Sequence, residues 1–408
     1  LGNFISLLGI MAILALAVAL STNWRAIRPR VVLSAFGLQA AIAAFVLYVP
    51  AGKAMIQALS GGVQAILNFS NVGIDMVFGW LAHGDGALSF AINVLPIIIF
   101  FSSLMAVLYH LHIMQWVVKI VGGILRRIIG TQNIESLNAA ANMFVGQTEA
   151  PLVIRPYLGR LTDAQLFTVM VSGLASVAGT VLAAYAQMGI RLDYLLAASF
   201  MAAPGGLLMA KLLMPDEESA DATKDLEPTK ADGDKPHANV ILAAAVGAQD
   251  GVKLAVNVGA MLLAFVAMIA LFNGIVGGIG GWFGYGDLTL ELILGYLFAP
   301  VMYLLSIPWS EAQIAGALFG EKLILNEFVA YLHLGQVVDS ISPRTEAVVT
   351  FSLCGFANVS SIAILLGGLG SLIPEKRDLI ARYGLRAVAA GSLSNLMSAA
   401  MASLLLPF

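Results

Sequence analysis

Charge is what this 408-residue chain lacks most. Only 11% of its residues are Asp, Glu, Lys or Arg, against about a quarter in a water-soluble protein. Twelve of the 21 basic and 24 acidic side chains crowd into one stretch, Lys211 to Lys235, which leaves the rest of the chain almost bare. A net charge of −3 offers no basic excess to neutralise phosphates, so nucleic acid is excluded as a partner. The single cysteine, Cys354, rules out an internal disulfide and argues against a cysteine-ligated metal. His83, His110, His112, His237 and His333 are scattered, with no His-Glu-x-x-His pair, and no Gly-x-x-x-x-Gly-Lys loop is present. The commonest signatures of metalloproteases and nucleotide hydrolases are therefore missing.

What the chain has instead is apolar length, with 59% hydrophobic residues. A spanning helix needs about 20 mainly apolar residues. Runs of that kind occupy 3–20, 31–50, 87–110, 163–187, 193–213, 253–279, 345–370 and 380–405. The first run lacks the basic leader and small-residue cleavage site of a signal peptide, and reads as a span. Apolar pieces too short or interrupted to cross lie at 53–68, 114–129, 133–158 and 287–336. The fold class is an all-α polytopic membrane protein.

Basic residues in short loops set the orientation. Arg25, Arg28 and Arg30 place the first loop in the cytoplasm, and Lys119, Arg126, Arg127, Arg155, Arg160, Lys376, Arg377, Arg382 and Arg386 follow suit. The glycine-rich, aromatic stretch Gly277–Asp287 falls outside, and so do both termini. Residues 214–240 form a solvated cytoplasmic linker with little to bury.

Two halves of the chain repeat one pattern. Gly173-Leu-Ala-Ser-Val-Ala-Gly-Thr-Val181 and Gly355-Phe-Ala-Asn-Val-Ser-Ser-Ile-Ala363 each interrupt an apolar span with small and polar residues. Each span starts at a helix-capping signal, Thr162-Asp163 or Ser342-Pro343. Each is preceded by an interrupted piece bearing a glutamate, Glu149 or Glu327. Such matched interruptions point to a transporter binding site at mid-membrane. If each piece is a re-entrant helical hairpin, the first enters from the cytoplasm and the second from outside, so the repeats are inverted and the tips meet.

At the first tip, Gly146 permits a tight turn and Pro151 starts the returning helix, leaving Gln147, Thr148 and Glu149 exposed to a ligand. A glutamine amide matches the carbonyl and N–H edge of a nucleobase. A polar tip dipping into lipid headgroups is the bland alternative. At the second tip, Leu323-Ile-Leu-Asn-Glu-Phe-Val-Ala330 buries a carboxylate at a cost that starts near ~2.5 kcal/mol. Its two oxygens suit a vicinal diol; otherwise Lys322 or a backbone N–H satisfies it. Asn358 and Ser361 break the later span as Ser176, Gly179 and Thr180 break the earlier one. Small residues there serve either packing or a broken helix lining a cavity. Freed carbonyls in the earlier break, with Asn142 and Ser176, make a carboxylate-free oxygen set suited to a monovalent cation rather than calcium or magnesium. Val181 and Phe356 give apolar walls or plain core. His110 and His112 read as interfacial, and Asp75 has no repeat mate.

Gly146-Gln-Thr-Glu-Ala-Pro-Leu-Val-Ile-Arg-Pro-Tyr157, Leu325-Asn-Glu-Phe-Val-Ala330 and Cys354-Gly-Phe-Ala-Asn-Val-Ser-Ser361 together resemble the concentrative nucleoside transporters, over nearly the whole chain. The resemblance implies a homotrimer in a bacterial inner membrane that imports nucleosides by sodium symport with elevator-type movement. It implies about eight spans plus two opposed hairpins. Residues 1–130 and 241–285 would be scaffold, and 131–213 and 286–408 the transport domain. Gln147, Thr148 and Glu149 would meet the base, Val181 and Phe356 would pack on it, and Glu327, Asn358 and Ser361 would hold the ribose. Sodium would take the Asn142 and Ser176 side chains and the carbonyls of Val145, Ser176 and Val177. Proton coupling is the alternative. A channel is disfavoured by two tips closing on one site, and an intramembrane hydrolase by the lack of a nucleophile–base pair.

Overall fold

The computed structural model describes residues 2–83, 90–216 and 238–406, and among them every regular element is helical. Helices α1 (Gly2–Ala19) and α2 (Pro29–Leu47) are followed by α3 (Pro50–Phe78), 29 residues long. The apolar piece at 53–68 is thus part of one longer helix, begun by Pro50 in its first turn, where its missing N–H costs nothing. A π-helical turn, Phe90–Val94, leads into α4 (Leu95–His110), and amphipathic α5 (Ile113–Ile129) stops at left-handed Gly130.

The next four pieces form a unit. Helix α6 (Asn133–Ala141), a turn, and a 3₁₀ arm (Ala150–Arg160) make a helix–break–helix; α7 (Asp163–Ala175) and α8 (Gly179–Gln187) are one helix broken at 176–178. After α9 (Leu192–Leu213) and α10 (Val240–Trp282), the pattern returns. Helix α11 (Leu290–Leu304) turns sharply into α12 (Trp309–Ile324), which breaks before α13 (Glu327–Val337). Then α14 (Pro343–Leu353) and α15 (Ser360–Gly367) form a second broken helix, followed by short α16 (Leu369–Leu372) and long α17 (Arg377–Leu405).

Three differences from the sequence reading stand out. The piece at 287–336 is three helices, because Ser306, with φ of 66°, and Pro308 turn the chain between α11 and α12. The span at 253–279 is the centre of a 43-residue helix, about 64 Å long at 1.5 Å per residue. The return arm of the first hairpin is 3₁₀ rather than α, consistent with Pro151 and Pro156, which have no N–H to donate. Most of the 214–240 linker lies outside the described residues.

Among the described residues six stretches are long and apolar enough to cross a bilayer: 29–47, 91–110, 163–187, 192–213, 240–282 and 374–405. Phe4–Ala19 and Ser360–Leu372 are apolar but shorter. Burial divides the helices into two sets. α7, α9, α14 and the C-terminal half of α17 are covered on nearly all sides. In contrast, α3 and α10 turn Phe69, Val72, Met76, Leu263 and Leu271 outward. Large apolar faces like these need lipid or another protein surface to cover them. The chain is a multi-pass membrane protein. Lys376 Nζ donates to the Leu161 carbonyl, which puts the basic loops around Arg160 and Arg377 at the same end of the molecule.

Candidate functional site

Each half builds its tip from local capping chemistry. In the first, Gln132 and Glu135 form a capping box at the start of α6, with Gln132 N donating to Glu135 Oε2 at 3.1 Å. The helix ends at Ala141, and residues 142–149 turn back. Gly146 is needed for space rather than for an unusual φ: a Cβ there would stand 2.5 Å from Glu149 Oε2. In the second half, Asn326 caps α13, its Oδ1 accepting from Val329 N at 2.9 Å, and Glu327 follows as the first helical residue.

The breaks in the long helices meet these tips in matching ways. Gly179 N, opening α8, donates to the Phe144 carbonyl at 3.0 Å; Val359 N, just before α15, donates to the Leu323 carbonyl at 3.0 Å. The two breaks also touch each other, Phe356 N donating to the Ser176 carbonyl at 3.1 Å. Asn395 of α17 locks both, its Nδ2 donating to the Ala175 and Cys354 carbonyls at 2.8 Å each. Backbone groups that the breaks release are thus partly re-satisfied inside the protein, as a broken helix in a membrane requires.

A polar chain links the tips. Gln147 Nε2 donates to Ser361 Oγ at 3.4 Å, and Ser361 N donates to Asn358 Oδ1 at 2.8 Å. Asn358 Nδ2 donates to Glu327 Oε2 at 2.9 Å, and Tyr185 Oη donates to Glu327 Oε1 at 3.1 Å. Gln147, Glu327, Asn358 and Ser361 are all buried. Lys322 does not reach Glu327; its Nζ donates to the Ser352 carbonyl at 2.8 Å and Asn395 Oδ1 at 2.6 Å.

Among the buried side-chain oxygens without a hydrogen-bond partner are Gln147 Oε1 and Asn142 Oδ1, together with Asn138 Oδ1 on α6 and Ser172 Oγ on α7. Such orphans are costly, so each marks a place where a donor or a cation fits. Asn142 Oδ1 points at α7 beside the break, 3.6 Å from where a Gly173 Cβ would be. Nearby, Ser176 Oγ donates to the Ser172 carbonyl at 3.0 Å, keeping its lone pairs, while the Ser176 carbonyl already accepts from Phe356. Val177 is fully buried and Val145 half-buried. The oxygens are neutral, and among the described residues no three His, Cys, Asp or Glu side chains converge. This donor set fits a monovalent cation better than a divalent one.

The remaining sequence-predicted residues are less central. Val181 is buried one turn before Tyr185 on the same face of α8, and Phe356 is half-buried in the second break. Thr148 turns its methyl toward Gly368, where a Cβ would be 2.5 Å away. Glu149 is exposed at the rim. Sequence reasoning missed Tyr185 and Asn395, and weighed Lys322 only as a partner for Glu327. The polar run Ser392, Ser394, Asn395 and Ser398 inside an apolar span was the available signal. A cavity of about 660 Å³, lined in part by Asn71, Asp75, Asn93, Gln187 and Gln336, lies at the C-terminal ends of α8 and α13. The same two helices carry Tyr185 and Glu327.

Comparison with known proteins bears on this arrangement. A family model described as the Na+ dependent nucleoside transporter C-terminus matches residues 194–403, and its N-terminus counterpart matches 8–81. A model described as nucleoside recognition matches 91–191. An uncharacterized transporter of Haemophilus influenzae is 52% identical, over 98% of this chain and 97% of its own length. The nucleoside permease NupC of Helicobacter pylori is 49% identical, over 98% and 97%. Among solved structures, a doubly substituted CNTnw in an outward-facing state aligns with a TM-score of 0.96 at 52% identity, covering 99% of this chain and 98% of that one. CNTnw in an inward-facing, substrate-bound state aligns at 0.93 and 52%, with the same coverage.

Proposed function

The chain belongs to the concentrative, Na+ dependent nucleoside transporter family, and on that premise we propose that it imports uridine-like nucleosides by symport with sodium. The observation that carries this reading is the single buried chain from Gln147 through Ser361 and Asn358 to Glu327. It joins an amide suited to a base edge with a carboxylate suited to a diol. The orphaned Gln147 Oε1 accepts a ring N–H. Tyr185 and Asn358 fix the Glu327 carboxylate, and its remaining lone pairs take the two ribose hydroxyls. Ser361 and Asn358 support the sugar, and Val181 and Phe356 pack on the ring. Thr148 and Glu149 complete the base end from the rim.

Sodium enters as a co-substrate. Asn142 Oδ1, Ser176 Oγ and the carbonyls of Val145, Ser176 and Val177 surround it between the first tip and the first break. Binding there orders residues 142–149, so nucleoside meets a formed base site and the two ligands favour one state. The buried helices of 131–213 and 286–408 move together as the transport domain, carrying both ligands past a scaffold of 1–130 and 241–285. The outward apolar faces of α3 and α10 face lipid and the neighbouring copies of a homotrimer. About eight spans, with two opposed re-entrant hairpins in addition, sit in a bacterial inner membrane with both termini periplasmic.

The test is uptake of labelled uridine into proteoliposomes under a sodium gradient, a proton gradient or neither, with adenosine as competitor. Accumulation driven by sodium alone is expected. Accumulation under a proton gradient without sodium contradicts sodium symport, and uptake that does not saturate contradicts a carrier.

A further inference from the structure

Glu321 and His333 lie outside the polar chain that joins the tips, and no step of the cycle above uses them. We propose that they form a proton-binding clasp between α12 and α13, the two arms of the second tip, which holds Glu327 in reach of the sugar and makes nucleoside affinity depend on pH. This rests on the reading of Glu327 as the group that takes the ribose hydroxyls.

His333 Nδ1 and Glu321 Oε2 are hydrogen-bonded at 2.8 Å, the glutamate buried and the imidazole 26% exposed. Glu321 belongs to the last turn of α12, where its carbonyl accepts from Leu325 N at 2.8 Å. His333 lies six residues beyond Glu327 on α13, about 240° further round the helix. Glu327, Phe328 and Tyr331 fall within about 100° of one another on that helix, and all three meet Tyr185. Glu327 Oε1 accepts from Tyr185 Oη at 3.1 Å, and the two ring centroids stand 5.1 and 4.4 Å from that of Tyr185. Helix α13 is therefore gripped from opposite sides, by Tyr185 of α8 in front and by Glu321 of α12 behind. With the rear grip released, α13 is free to draw Glu327 away from Tyr185 and Asn358.

The pair needs a proton to be neutral as a whole. A carboxylate beside an uncharged imidazole leaves a net negative charge in a tip set in the membrane, which is costly there. One further proton cancels it, and that proton belongs to the pair rather than to either residue. The charged groups on the neighbouring elements do not cancel it. Glu291, in the first turn of α11, is a second carboxylate acting on His333, and Asn273 of α10 donates to both its oxygens, at 3.2 and 2.9 Å. Lys322 of α12 turns to the Ser352 carbonyl and Asn395. On α14, Arg344 donates to the Ser403 carbonyl and Glu346 lies by Arg191. Asp75 of α3 lines the cavity beside Leu332 and Gln336 of α13 and adds no positive charge. The exposed edge of the imidazole gives the proton its way in. Raising the pH removes the proton, and the charge left behind favours a loosened tip in which water reaches Glu321.

The test measures uridine affinity of the purified full-length protein by isothermal titration in saturating sodium, across about pH 5 to 8.5, with the melting temperature in detergent as a check on folding. Native affinity is expected to be highest at the acid end and to fall by about tenfold or more across the series. Glu321→Gln offers His333 an acceptor oxygen with no charge to cancel, and is expected to keep its acid-end affinity throughout. Glu321→Leu removes the bond; it is expected to bind about tenfold more weakly than the native protein at the acid end and to show no further fall. Native affinity that is constant across the series overturns the clasp. So does Glu321→Gln losing affinity with pH as the native protein does, and so does a folded Glu321→Leu that binds as the native protein does at the acid end. If Glu321→Leu does not fold, the Glu321→Gln profile decides. Equal uridine affinity of the native protein and Glu327→Gln at the acid end refutes the ribose reading instead, a result separable from each of these.

Discussion

Replacing Glu327 by glutamine changes one atom and tests the sugar half of the site. The carboxylate already accepts from Tyr185 at 3.1 Å and Asn358 at 2.9 Å. In the proposed complex it also accepts from two ribose hydroxyls. The amide of Glu327→Gln keeps one acceptor oxygen and turns the other position into a donor that faces donors. One hydroxyl bond is lost and the other falls from charge-assisted to neutral strength. Hydrogen bonds to charged groups are worth about 1.5–3 kcal/mol and neutral ones about 0.5–1.5, so uridine binding should weaken by about 2–4 kcal/mol. That is roughly 30- to 1,000-fold in Kd. Isothermal titration of the purified protein with uridine, 2′-deoxyuridine and 3′-deoxyuridine, in saturating sodium, forms a double-perturbation cycle. The deoxy ligands should bind the native protein more weakly, and Glu327→Gln should discriminate far less among the three. Equal uridine affinity in the two proteins, or losses that simply add, would refute the ribose assignment.

Other consequences follow from the same geometry. Gln147→Leu removes the orphaned acceptor and its bond to Ser361; uridine affinity should fall by about 1–3 kcal/mol and selectivity among bases should flatten in a competition series. Glu149→Gln, at an exposed position, should change affinity less than Gln147→Leu in the same series. Asn142→Ala should raise the sodium concentration needed for half-maximal uptake while leaving uridine affinity near native once sodium saturates. Gly355→Ala puts a methyl against Asn395 Oδ1 and should cost about 1–3 kcal/mol of stability, seen as a lower melting temperature in detergent.

Much of this arrangement was legible in the chain. Polar residues inside apolar runs are expensive enough to advertise themselves, and Gln147, Glu327, Asn358 and Ser361 did so. The breaks at Ser176 and after Leu353 were visible because small and polar residues interrupt spans at matching places. What stayed hidden depends on long-range contact. Tyr185 looks like an ordinary aromatic in an apolar helix until Glu327 is found beside it. Asn395 bonds two carbonyls contributed by different helices, 220 and 41 residues away. Lys211 reads as the first residue of the charge-rich stretch 211–235, at the end of an apolar span, yet it is buried against Glu135 at the start of α6. The sharp turn between α11 and α12 was missed because periodicity reads apolar length and not direction. Gly146 was assigned a turn, but its smallness makes room for Glu149.

The central claim is that sodium and nucleoside share one ordered tip. Titration of the purified protein with uridine across a sodium series tests it most directly, paired with a sodium titration across a uridine series. The account predicts that each ligand tightens the other by the same factor. Uridine affinity that holds constant as sodium is removed would contradict it.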